Sequence, residues 1–223
     1  LGEAAGVKIV SRHMEMPFAF EDRTWAEEFF RKEGLNGSAP AVAFFPGGGA
    51  SWGQDACFKR WPVASYAGLI NKVIEKFSAK VILLGDRKDR TLSDKLTETV
   101  AGPVINACGE TTLLQTAALL KRCEVAVMND GGPLHMAVAV GTRTVSLFGP
   151  VNEAVYGPYP REGHEVAVCD MICRPCYRYF RRADCAHVSC LSRISPDDVF
   201  EKIEKVLSAS ASRCSCDKMR KQA

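Results

Sequence analysis

Five short runs, apolar almost throughout, set the frame for this chain: AVAFF at 41–45, KVILLG at 80–85, VINAC at 104–108, VAVMN at 125–129 and TVSLF at 144–148. They do not alternate polar with apolar residues. A strand that is apolar on both sides has to be covered on both faces of its sheet. Between the runs, residues 62–77, 87–102, 111–123 and 133–141 read as helices, the first opening on Pro62, which suits a first turn. Strands alternating with helices imply parallel pairing through crossovers. The expected fold is therefore α/β: a doubly wound, mainly parallel, Rossmann-like sheet over about residues 38–207, with a sixth strand at 164–169.

The flanks are less regular. Residues 7–11 read as a short strand. Residues 20–35 read as a helix with Glu21 and Asp22 near its start, Arg31 and Lys32 near its end, and Gly34 as its stop. Residues 208–223 are small, polar and basic, and read as an unstructured tail. The start, LGEAAGVKIV, has neither the basic region nor the cleavage site of a signal peptide, and reads like the middle of a longer protein. A net charge of +3 is too small to argue for nucleic acid. No apolar run approaches the roughly 18 residues of a membrane span. Ten cysteines in a chain neither small nor visibly secreted point to a reducing cytoplasm.

Ligands of open α/β sheets bind beyond the carboxyl ends of the strands. The loop after the first run carries Pro46, Gly47, Gly48 and Gly49, then Lys59, Arg60 and Trp61. It is neither a Walker loop nor a dinucleotide fingerprint, because Trp52 stands where the third glycine of the latter would fall. Alone it fits a tight turn as well as a phosphate loop. The second loop offers Asp86 and Asp89, acids that could meet ribose hydroxyls or simply solvent. The fourth reads NDGGPLH, residues 129–135. Pro133 at a first helical position makes Gly132 the expected cap, and such a helix start is an anion site. His135 lies in its first turn, and Asp130 can brace the loop by accepting backbone N–H bonds. A packed histidine at an ordinary helix start is the plain alternative. Lys59 and His135 could converge on one diphosphate and carry its charge without a metal; a solvated basic pair is the plain reading of Lys59 and Arg60. Trp61 reads as a packing residue.

Taken together, FFPGGGASWGQDACFKRWP, VILLGD, VAVMNDGGPLHMAVAVGTRTVSLFGPVNEAVYGPY and CRPC follow one another in an order that resembles the C-terminal half of glycosyltransferase family 9, the ADP-heptose:lipopolysaccharide heptosyltransferases. The resemblance covers about residues 38–207. It implies a GT-B fold, two Rossmann-like domains around a cleft, with this half binding the nucleotide sugar and residues 1–37 crossing from a missing N-terminal domain. It implies inverting, metal-independent transfer with no cofactor. The donor is an ADP-sugar, ADP-heptose above all. The acceptor is lipid-linked or a lipopolysaccharide core, reached from the cytoplasm at the inner face of the inner membrane, and no nucleic acid is involved. By position, Lys59 matches the lysine at the phosphates. Gly131 and Gly132 match the backbone donors to the diphosphate, with Asp130 beside them. His135 matches the histidine one turn into the helix, and Gly47 and Gly48 match the loop at the phosphates. Met128 falls near the nucleoside pocket, and Asp86 or Asp89 takes the place of the ribose acid. Gly131 departs from the pattern, standing where Ser or Thr is common. The family's general base is an aspartate of the N-terminal domain, so this chain by itself is expected to bind donor and transfer nothing.

Cys173, Cys176, Cys185 and Cys190 are spaced C-x2-C-x8-C-x4-C. Structural zinc, disulfides and free thiols all fit that spacing. Arg174, Arg178, Arg181 and Arg182 run between them with Tyr177, Tyr179 and Phe180. They form a patch for an anionic acceptor or lipid headgroups, or a solvated face. Two other functions stay open on sequence alone: a non-catalytic nucleotide-binding module, and a zinc-stabilised basic interaction domain.

Overall fold

The computed structural model describes residues 3–8, 11, 13–49, 52–179, 181–185 and 187–220. The apolar runs form one six-stranded sheet: β1 (Ala41–Phe45), β2 (Lys80–Leu83), β3 (Val104–Asn106), β4 (Val125–Asn129), β5 (Arg143–Phe148) and β6 (Glu165–Val168). The spatial order is β3-β2-β1-β4-β5-β6, and every pairing is parallel. A two-stranded hairpin, β7 (Tyr177–Arg178) with β8 (Arg181–Arg182), stands apart from the sheet. The helices are α1 (Phe20–Lys32), α2 (Val63–Phe77), α3 (Arg90–Thr99), α4 (Leu113–Leu120), α5 (Gly132–Ala139), α6 (Glu153–Tyr156), α7 (Ser189–Ser192) and α8 (Pro196–Arg220).

The all-apolar runs have a direct cause. Successive residues of a strand point to opposite faces, and here both faces are roofed. Val42, Phe44, Val81, Leu83, Val125 and Val127 pack with Leu69 and Ile70 of α2, Leu96 of α3 and Val199 and Ile203 of α8. Ala41, Ala43, Phe45, Ile82, Ala126 and Met128 pack on the other side with Phe30 of α1, Leu119 of α4 and Leu134 of α5. Each fully buried large apolar side chain contributes roughly 1.5–3 kcal/mol, and the buried polar residues of β5, Thr144 and Ser146, are hydrogen-bonded to His164 and to the Glu165 carbonyl. The doubly wound reading is borne out, and β1 and β4 match their runs to the residue.

The strand order also fixes where a site can be. From β1 the chain steps outward to β2 and β3, then returns to place β4 on the other side of β1. The order reverses between β1 and β4, which opens a crevice at their carboxyl ends. The loops that flank it are the glycine cluster after β1 and NDGG after β4.

Four local expectations are corrected. Val7, Lys8 and Ser11 lie in no strand, and residues 9 and 10 fall outside the described residues. Residues 87–89 form a separate 3-10 turn before α3, because the Asp86 side chain caps it by accepting from the N–H groups of Lys88 and Asp89. The cap of α5 is Gly131, not Gly132, so Pro133 sits one position inside the helix. The final helix runs on to Arg220 through the segment that composition marked as unstructured. Its first half is anchored by buried Val199, Ile203 and Val206, and helix propagates cheaply from such a nucleus. Residues 221–223 lie outside the described residues.

Candidate functional site

Asn129 ends β4 and organises the crevice. It is buried, and its amide makes three hydrogen bonds. The side-chain oxygen accepts from the Trp61 N–H at 3.1 Å. The side-chain nitrogen donates to the carbonyls of Pro46 at 3.1 Å and Gly47 at 2.8 Å. One amide thus ties the glycine loop, the Lys59 loop and the NDGG loop together. Its position was readable as a polar residue closing an otherwise apolar strand; such a residue needs full pairing when buried.

The glycine cluster is required for close approach rather than for an unusual turn at its first two positions. A Cβ on Gly47 would fall on the Asp89 carboxylate, and one on Gly48 on the Ala56 carbonyl oxygen. Gly49 takes the left-handed conformation at φ 70°. Asp89 is buried between these loops. It accepts from the Asp86 N–H at 3.3 Å and lies 3.5 Å from the Arg60 guanidinium. Burial, then the nearby Asp86 charge, pushes its carboxyl above the usual range, while the Asp86 N–H and Arg60 pull it back. Asp86 is exposed at the crevice.

Lys59 closes a 3-10 turn, Gly53–Lys59, and is only 5% exposed. Its ammonium is 2.6 Å from the Asp130 carboxylate and 5.0 Å from the centroid of the Trp52 ring. Asp130 is equally buried, so its bracing partner is this cation. Removing one partner of a buried pair costs about 3–5 kcal/mol. Trp61 is a packing residue, as read: its indole N–H donates to the Ile194 carbonyl at 3.0 Å, and its ring meets Tyr66 edge-on at 5.0 Å.

A cavity of about 740 Å³ opens against these loops. Gly47, Asp86, Asp89, Gly132 and His135 line it; Gly48, Lys59, Asp130 and Gly131 are not among its lining residues. Met128 is fully buried and pairs in register with Phe45, which lines the cavity, while Met128 itself does not. The methionines that do line the cavity are Met14, Met16 and Met136. Met14 and Met16 lie in an irregular stretch before α1, where no periodicity or motif marks them.

The cysteines are free thiols in the structure: Cys173 exposed, Cys190 buried, Cys176 and Cys185 between. Among the described residues no three His, Cys, Asp or Glu side chains gather as a metal site. Burial pushes the Cys190 thiol up to about 11. Cys185 is drawn below its ordinary value by the N–H groups of His187 and Val188. The basic patch divides. Arg178 and Arg181 are exposed, whereas Arg174 is turned inward to the Gly149 carbonyl at 2.6 Å and Glu153 at 2.9 Å. Among the described residues no helix is long and apolar enough to cross a membrane.

Comparison with known proteins bears on the family and the fold. The sequence model described as Glycosyltransferase family 9 (heptosyltransferase) matches residues 12–187. Lipopolysaccharide heptosyltransferase 2 of Escherichia coli K12 is 32% identical over 181 residues, which is 78% of this chain and 48% of that protein. The crystal structure of a family 9 glycosyltransferase from Veillonella parvula is 26% identical with a TM-score of 0.78, over 93% of this chain and 57% of that one. The E. coli ADP-heptose lipopolysaccharide heptosyltransferase II structure is 25% identical with a TM-score of 0.67, over 88% and 54%. The chain spans about half the length of the curated relatives it matches. With the motifs, the parallel sheet and the family match all in agreement, the chain belongs to glycosyltransferase family 9.

Proposed function

We propose that residues 38–207 form the donor-binding domain of an inverting glycosyltransferase that uses ADP-heptose or a close ADP-sugar. What supports this reading is a cavity of nucleotide size lined by Gly47, Asp86, Gly132 and His135 at the start of α5, with the buried Lys59–Asp130 pair in the loops after β1 and β4. Pro133 has no N–H, and the Leu134 N–H is bonded to the Gly131 carbonyl. That leaves Gly131 and Gly132 to donate to the diphosphate. Asp86 takes a ribose hydroxyl in preference to Asp89, whose carboxylate is committed to Asp86 and Arg60. Met14, Met16 and Met136 give the base an adaptable apolar wall.

In the transfer, the diphosphate leaves the anomeric carbon as the acceptor hydroxyl attacks from the opposite face. Charge builds on the departing oxygen. Lys59, His135 and the positive end of α5 meet that charge where it develops, which lowers the barrier more than it tightens ground-state binding. The general base and the acceptor site belong, in this proposal, to the part of the relatives that this chain does not span, with residues 1–37 crossing to it. The acceptor is a lipopolysaccharide-core or other lipid-linked saccharide at the inner face of the inner membrane.

Calorimetric titration with ADP and UDP in EDTA tests the donor reading. ADP is expected to bind saturably without metal, and Lys59→Gln, which keeps a hydrogen bond to Asp130 but removes the charge, to weaken it about tenfold. Absence of ADP binding, or equal binding by Lys59→Gln, contradicts it.

A further inference from the structure

The cysteine-rich hairpin lies against the donor loops instead of standing free as a basic face. The Tyr177 ring stacks on Trp52 with centroids 4.7 Å apart and planes 28° from parallel. Its other neighbour is Tyr156, met at a steep angle at 6.2 Å. The Arg182 guanidinium covers the Phe58 ring at 3.6 Å and lies 3.9 Å from Asp55. Trp52, Asp55 and Phe58 all belong to the turn that ends in Lys59 or cap it. The hairpin is itself fixed to the loop after β5, where the Cys176 and Tyr177 N–H groups both donate to the Pro150 carbonyl at 3.0 Å.

A continuous chain of contacts follows from this: the loop after β5, Tyr177, Trp52, the Lys59 ammonium, Asp130. We propose that Tyr177 is a positioning residue of the donor site. By fixing the plane of Trp52 it gives the Lys59 ammonium its second partner, a ring face, and so holds the cation at Asp130. Aromatic stacking fixes orientation, and a partly desolvated cation over an indole is held by an attraction sensitive to ring placement. The hairpin's inner face is a buttress of this lysine; Arg178, Tyr179 and Arg181 are exposed on its outside.

The consequence for nucleotide rests on the donor reading; the placement of Lys59 does not, and two measurements separate them. The first uses the unliganded chain. Acylation of Lys59 by acetic anhydride, read by mass spectrometry against exposed Lys95, is expected to rise about threefold or more in Tyr177→Ala and to stay at the parent level in Tyr177→Phe. Unchanged Lys59 labelling in Tyr177→Ala overturns the proposal. Tyr177→Leu serves if the alanine variant does not fold, since it keeps apolar bulk without a ring. The second is a double-mutant cycle on ADP affinity. Tyr177→Ala is expected to weaken ADP about threefold in the parent and less than about 1.5-fold in Lys59→Gln, because the effect passes through the cation. Equal losses in both backgrounds overturn it. Altered labelling in a chain that binds no ADP sustains the positioning role and removes the donor reading instead.

Discussion

Gly47 and Gly131 are both glycines of the crevice, yet they are there for different reasons. Gly47 leaves space for the Asp89 carboxylate. Gly131 is extended at φ 162°, a conformation open to any residue, and a Cβ on it would meet only the Pro133 ring at 3.6 Å. Gly131→Ser is therefore expected to fold with a thermal midpoint within about 2 °C of the parent and to bind ADP at least as tightly, since it adds a hydroxyl at the helix start. Gly47→Ala forces the Asp89 side chain away, and is expected to cost about 1–3 kcal/mol by overpacking and to weaken ADP together with stability. Thermal denaturation and titration of the pair check both statements; equal behaviour of the two variants contradicts them. At this scale the sequence was informative for residue type and poor for direction. Lys59, Asp130 and His135 were singled out by motif. The pairing of Lys59 with Asp130 was not, because it depends on how a 3-10 turn brings one loop under another. Met128 packs with Phe45 and Leu134 on the side of the sheet covered by α1, α4 and α5, and does not itself line the cavity.

Among the elements, β1 and β4 were legible to the residue, whereas β2, β3 and β6 stop at Leu83, Asn106 and Val168, short of their apolar runs, and the ends of the helices were less legible still. β1 and β4 were apolar on both faces and could be nothing else. Helix ends depend on single side chains, as where Asp86 splits off a 3-10 turn and Gly131 caps one residue early. The β5–β6 pairing carries a pH-sensitive contact. His164, beside the start of β6, shares a hydrogen bond of 2.9 Å with the Thr144 hydroxyl of β5. Burial, then the Arg143 charge, lowers its pKa. Its folded-state pKa thus lies below the unfolded value of about 6.5. The stability it contributes is present above that value and is lost as pH falls through the folded pKa. His164→Gln is expected to flatten the decline of the thermal midpoint below about pH 6.5. A decline of the same slope in both proteins would assign it to the carboxylates.

For the molecule as a whole, one topological fact places the site. The strand order reverses between β1 and β4, and the two glycine-bearing loops that sequence singled out are the ones this reversal brings face to face. The expectation of a site there followed from alternation of strand and helix, before any pairing was known. What sequence could not supply was the apolar side of the cavity, because Met14 and Met16 reach it from a segment without regular structure, or the hairpin's attachment to the Lys59 turn. The central claim is that this crevice holds a nucleoside diphosphate. The crystal structure of the chain with ADP tests it most directly. The diphosphate is expected within hydrogen-bond reach of the Gly131 and Gly132 N–H groups, with Lys59 and His135 on its oxygens, the ribose at Asp86 and the base against Met14, Met16 and Met136. ADP bound elsewhere, or a diphosphate that leaves Lys59 and the start of α5 untouched, would contradict it.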